Sequence, residues 1–278
     1  MLCLSPRAHA DRGAPDIPSG VSVADAGRVF RAVCILLFVA SASATILICR
    51  AMAEMGEVPM AGGWSMSTTW TSLCGGSWPA AAGAFLGMWA TMMTAMMLPS
   101  LAPALRRGHE NAARAGDALP ALFSALVGLF YFIVWTAFGL VVFIGGATLL
   151  EAALRWPQLA RAVPFSTGLA IIAAGLFQMS RWKLALLGQC RQVSSPGTGP
   201  AAAIGQGLRL GLACCASCAG LTVLLLVGGV MDLRAMVIVA VAITAERLGS
   251  AGERIAGATG GLMLGAGVVQ LTQAFWLL

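Results

Sequence analysis

Two cysteines one helical turn apart and a run of methionines are the residues of this sequence whose types and spacing can do chemistry. Cys214 and Cys218 stand at i and i+4 in Gly211-Leu212-Ala213-Cys214-Cys215-Ala216-Ser217-Cys218. On a helix they share a face, and two thiolates so placed can clamp a soft metal ion or form a redox pair. Met88, Met92 and Met96 recur every four residues, with Met93 and Met97 on the adjacent stripe. Helical spacing therefore stacks five thioethers on one broad face. Thiolates and thioethers are soft ligands that select Cu(I) over hard cations. Met also serves as a flexible apolar filler and Cys as a small hydrophobe, so the spacing alone leaves ligand and core readings open. Cys215 and Ser217 are expected to point away from the Cys214 face.

The elements that must position these side chains follow from composition. Of 278 residues, 59% are hydrophobic and 10% charged, and the mean hydropathy is +0.86. A soluble domain carries about a quarter charged residues, so this chain cannot cover itself with a water-compatible surface. About 20 apolar residues span a hydrocarbon core as helix, and lipid leaves no partner for open backbone groups. The short alternating segments of a membrane barrel are not visible. The expected fold is an all-α, polytopic transmembrane helical bundle.

Seven apolar stretches stand out, near 29–49, 80–100, 119–145, 162–178, 207–231, 233–249 and 257–277, forming one transmembrane domain over 29–278. The fourth is short and starts at Pro164. The break between the fifth and sixth rests on Asp232 and Arg234, so six spans is the rival count. Residues 1–28 read as a polar cytoplasmic tail, and the first apolar run as a retained span, since no cleavage site is evident. With the N-terminus inside and the C-terminus outside, 13 of the 17 basic residues fall on the cytoplasmic side, as the positive-inside rule requires. Trp64, Trp70 and Trp78 then crowd the outer interface. No internal repeat of the kind common in transporters is found.

Depth brings the two soft-ligand groups together. Met92 lies roughly 12 Å from the cytoplasmic end of its span, and Cys214 and Cys218 lie about 10–16 Å from the same face. Glu246 sits near the cytoplasmic end of the sixth span. An ionisable residue in a span is functional by default, but Arg247 follows at once, and a shallow interfacial carboxylate beside an Arg is the expectation. Asp232 reads as an outer-loop residue. The loop 50–79 carries Met52, Met55, Met60, Met66, Glu54, Glu57 and Cys74, a group able to meet copper from outside, although a simple polar loop is the better reading.

Absences narrow the function. The two histidines, His9 and His109, lie in the tail and a loop, which gives no support to a haem bundle or a His-ligated zinc hydrolase. No phosphate-binding Gly-rich loop is present. No basic stretch interleaves with aromatics, so nucleic acid is not an expected partner.

These residues resemble the bacterial family of predicted metal-binding integral membrane proteins. The resemblance rests on Met88-Trp89 through Met96-Met97-Leu98-Pro99-Ser100, then Phe177-Gln178, Lys183, Cys190-Arg191, Gly211, Cys214, Cys218, Gly229-Val230-Met231 and Glu246-Arg247-Leu248. It covers about residues 80 to 270. Phe177 replaces the family's Tyr, Leu186 and Ser217 replace Cys, Ala219 replaces Trp, and Arg247 replaces Lys. The resemblance implies metal binding without naming a reaction, and adds Cys190, Gln178 and Lys183 to the candidates.

The expectation is an inner-membrane protein that handles a soft transition metal, foremost Cu(I). The metal-ligand candidates are Cys214, Cys218, Met92 and Met96, with Met88, Met93 and Cys190 behind them. Glu246, Gln178 and Lys183 are further candidates. The implied partners are the lipid bilayer and either a metal donor or a membrane enzyme complex. Rival readings are a membrane oxidoreductase using copper or the Cys pair, and a structural or assembly subunit without metal.

Overall fold

The computed structural model describes residues 23–276 apart from 54–56, 60–64, 68–77, 116, 118, 192–196, 198, 230–231 and 250. Its elements in order are α1 (Val23–Ala53), β1 (Glu57–Pro59), β2 (Ser65–Ser67), α2 (Trp78–Arg114), α3 (Pro120–Arg155), α4 (Pro157–Gln178), α5 (Arg181–Arg191), α6 (Pro200–Gly228), α7 (Leu233–Leu248) and α8 (Gly252–Trp276). The two strands form one antiparallel pair with Val58 opposite Met66. Residues 1–22 of the expected tail, and the side chains of the methionines, carboxylates and Cys74 in the 52–77 stretch, lie outside the described residues, while residues 23–28 already belong to α1.

Over their described residues, the seven apolar stretches fall in α1, α2, α3, α4, α6, α7 and α8. Six helices, α1, α2, α3, α4, α6 and α8, are long and apolar enough to cross a membrane. The helix α7 has 16 residues, about 24 Å at 1.5 Å per residue, against a hydrocarbon core of about 30 Å. It is shorter than that core, and its last turn is buried, with Glu246 1% and Arg247 6% exposed. Two boundaries move. The helix α4 starts at Pro157 with Pro164 inside it, so Pro164 opens nothing. The segment after Gln178, expected as a loop, folds into α5, whose Lys183, Leu187 and Cys190 form one buried face at i, i+4 and i+7.

Helix starts follow ordinary backbone chemistry. Pro120, Pro157 and Pro200 open α3, α4 and α6, where the missing N–H costs nothing and the fixed φ is already helical. Asp232 caps α7 by accepting from the Arg234 N–H at 2.8 Å.

Small residues set the helix spacing. A Cβ on Gly267 of α8 would meet Gly168 O of α4 at 3.0 Å, and one on Gly175 would meet Gly260 O at 3.0 Å. In α6, a Cβ on Gly211 would meet Val134 Cβ at 2.9 Å and Tyr131 O at 3.2 Å, and one on Gly220 would meet Ala174 O at 3.1 Å. These glycines let α4 pack on α8, and α6 pack on both α3 and α4. Close approach of this kind is how helices associate where lipid removes the hydrophobic drive between them. Between Arg31 and Arg50, the exposed residues of α1 are largely apolar, among them Ile35, Leu36 and Leu47.

Candidate metal centre

The close approach at Gly211 carries the next turn of α6 against α3, so that Cys214 Sγ lies 2.9 Å from the Tyr131 hydroxyl. Tyr131 is the one tyrosine of the chain and is fully buried. Cys218 Sγ lies 3.9 Å from Cys214 Sγ. A metal–thiolate bond of about 2.3 Å lets one ion touch both sulfurs at that separation. Cys190, at the end of α5, lies 3.7 Å from the Ser217 hydroxyl. The three buried thiols thus converge from two helices. Ser217 was expected to point away; instead it is buried, donates to Cys214 O at 3.0 Å and lies 3.8 Å from Cys218 Sγ. It occupies the turn between the two cysteines, and α5 closes over it. Cys215 is half-buried.

Arg247, from the last turn of α7, ties this cluster to α2. Its Nη1 donates to Cys214 Sγ at 3.1 Å and to Ser100 Oγ at 3.1 Å. Ser100 stands one turn after Met96 and Met97, so the end of the methionine stripe and the thiol cluster meet at one guanidinium. Met88, Met92, Met93, Met96 and Met97 are all buried. Higher along α2, the indole of Trp89 donates to Trp135 O at 2.9 Å, which sets the α2–α3 register. Met96 also lines, with Pro99, Met236 and Ala240, a cavity of about 730 Å³ between α1, α2 and α7.

Glu246 corrects a sequence expectation. Expected at an interface, it is instead 1% exposed. The last turn of α7 directs it toward Lys183 of α5, Gln178 of α4 and Thr259 of α8. Glu246 Oε2 pairs with Lys183 Nζ at 2.8 Å, and its Oε1 accepts from the Gln178 amide and from Thr259 Oγ1, the latter at 3.0 Å. Lys183 Nζ also donates to Gln178 Oε1 at 3.1 Å and to Ser217 O at 2.5 Å. Gly220 lets Gln178 close on α6, since its absent Cβ would meet Gln178 Oε1 at 3.3 Å. Five helices, α4 to α8, thereby meet at one buried ion pair whose charged atoms are all hydrogen-bonded. Ser217 joins this network to the thiols.

Sequence reasoning missed Tyr131, Ser100 and Thr259. A lone tyrosine in an apolar span was the available signal for the first; hydroxyls are too common in spans to mark the others. Among the described residues no three His, Cys, Asp or Glu side chains form a ready-made metal cage. The donor set is instead two thiols in reach of one ion, a third thiol adjoining, and thioethers beyond Ser100. That soft, low-coordinate set fits Cu(I) and does not fit the four-coordinate cage of structural zinc.

Residues 86–270 match the family model described as PpoB2, copper chaperone. No curated protein and no solved structure matches the chain.

Proposed function

We propose, given that this chain belongs to the PpoB2 copper chaperone family, that it carries Cu(I) as cargo on Cys214 and Cys218 within a bacterial inner membrane. The observation that supports this reading is the 3.9 Å separation of the two buried sulfurs beside a guanidinium donor. Thiolate is the metal-ligating form of cysteine, and a cationic donor is the natural partner for a sulfur bearing negative charge. Cys190 serves as the third thiol from α5, and Met96, Met92, Met93 and Met88 serve as a thioether path along α2. A chaperone must release what it binds, and a two-thiol site with a movable third ligand exchanges ions more readily than a closed cage. The N-terminus lies in the cytoplasm, as the Arg residues that precede the first span favour. The recipient is a copper-requiring partner at the membrane.

Metal analysis of the detergent-purified full chain tests the reading. Wild type should hold close to one Cu(I) per chain, Cys214→Ala and Cys218→Ala should each remove most of it, and Cys215→Ala should leave it intact. Equal copper in all four proteins would overturn the site.

A further inference from the structure

We propose that the groove between α1, α2 and α7 holds an acyl chain of an anionic phospholipid whose phosphate lies on Arg31 and Arg106. The proposal rests on the chain's crossing a membrane and not on the copper reading. The groove is the cavity of about 730 Å³ that Met96 lines. The helix α2 packs against both α1 and α7, so it forms the floor and the other two form the walls. Apart from the hydroxyls of Thr45 and Thr244, the lining side chains are apolar, and Thr45 already donates to Ser41 O at 2.8 Å. Such a lining offers a polar ligand nothing in place of its water and suits hydrocarbon. Phe38, Val237 and Val241 on its walls are exposed, so the groove is continuous with the apolar surface that α1 and α7 turn outward. Along α1 it runs from Phe38 to Ile46, about 12 Å at 1.5 Å per residue. That is close to the depth of one leaflet, about half of a 30 Å core.

An apolar groove accepts any chain, and charge at one end of it selects the headgroup. Arg31 lies seven residues before Phe38, and Arg106 lies seven residues after Pro99, which also lines the groove. Seven residues make close to two helical turns, so each arginine stands on the groove-lining face of its own helix, about 10 Å beyond the groove. The rings of Phe30 and His109 stack with centroids 6.4 Å apart, which sets the turn holding Arg31 beside the turn that follows Arg106. Both arginines are exposed. Arg31 Nε donates to Gly27 O at 3.3 Å, and Arg106 Nε lies 3.6 Å from Glu110 Oε1 in an exposed pair, which is weak. Each guanidinium has further donors in its fork for a phosphate. Arg107 and Arg114 add positive charge at the same end of α2, where Glu110 is the one carboxylate of that helix. Basic side chains grouped at one membrane face recruit anionic headgroups, their long stems reaching along apolar surface to do so.

Native mass spectrometry of the full-length protein in detergent, supplied with equal phosphatidylglycerol and phosphatidylcholine, tests this. Wild type should retain one lipid per chain, with phosphatidylglycerol preferred. Arg31→Gln and Arg106→Gln should each lower that preference about fivefold, while Arg50→Gln, at the other end of α1, should leave it unchanged. Ala42→Phe and Ala240→Phe fill the groove from either wall, and each should abolish retention of both lipids; one carries this arm if the other does not accumulate. Wild type that retains neither lipid, or both equally, overturns the proposal. So does an unchanged preference in either arginine variant, an equal loss in Arg50→Gln, or lipid retained by a groove-filling variant. A lipid-free dimer overturns it in favour of a second copy of the chain as occupant. Recovery of the chain from cells without detergent overturns the membrane reading itself.

Discussion

Glu246 and Arg247 are consecutive on α7, yet one faces Lys183 and the other Cys214. Glu246 Oε2 lies 2.8 Å from Lys183 Nζ, and Arg247 Nη1 lies 3.1 Å from Cys214 Sγ. Neighbouring side chains diverge by about 100° around a helix, so the last turn of α7 acts as a wedge with two working faces. One face closes a neutral ion pair with α4, α5 and α8. The other joins the thiols of α6 to Ser100 of α2.

Glu246→Gln is expected to destabilise the protein by about 3–5 kcal/mol, because it leaves the Lys183 ammonium buried without its counter-charge. Lys183→Met should cost a similar amount by stranding the carboxylate. The double variant should cost clearly less than the sum, since neither charge is then left behind. Thermal unfolding in detergent reads all three. Additive losses would show that the two side chains act separately.

The seven apolar stretches were legible because lipid demands long uninterrupted helices, and hydropathy reports those directly. The stacking of Cys214 and Cys218 and of the five methionines was legible for the same reason: on one helix, spacing fixes the face. What spacing cannot report is which faces meet. Glu246 read as interfacial because Arg247 follows it at once, whereas both side chains turn into the bundle and are buried. The segment Arg181–Arg191 read as a polar loop because its basic residues mask the buried stripe of Lys183, Leu187 and Cys190. Tyr131 became a site residue only through the close approach that Gly211 permits.

Asp117 gives a pH dependence outside the spans. Its Oδ1 accepts from the Leu119 N–H and its Oδ2 from the Gly199 N–H, both at 3.1 Å. These hydrogen bonds, Leu119 first and Gly199 second, hold its carboxyl below the usual range. Gly199 has φ 88°, a conformation that favours glycine, and it opens α6. A carboxylate whose folded pKa is depressed contributes stability that is fully present above its unfolded value of about 3.9. That contribution is lost as pH falls through the lower folded value. Hydrogen-exchange protection of the Gly199 amide, corrected for intrinsic rate, should therefore be constant at neutral pH and fall below about pH 4. In Asp117→Ala it should already be low at pH 7. Equal protection in the two proteins at pH 7 would show that the start of α6 does not depend on this side chain.

The methionines separate ligation from packing. Leu replaces Met at nearly constant volume, and such exchanges cost less than about 1.5 kcal/mol, so Met92→Leu and Met96→Leu should both fold with little change in melting temperature. Leu has no sulfur, so a ligand methionine cannot tolerate the exchange. Met96 stands one turn from Ser100, which shares Arg247 Nη1 with Cys214, and Met92 stands one turn further away. Met96→Leu is therefore expected to lower copper content, or to speed its loss to a chelator, more than Met92→Leu does. Met88→Leu, a further turn away, should have the smallest effect. Graded loss along the stripe with unchanged melting would support thioethers that contact the ion or its route. Full copper content and unchanged release in all three variants would reduce the stripe to core packing, leaving the thiols of Cys190, Cys214 and Cys218 as the whole soft-ligand set.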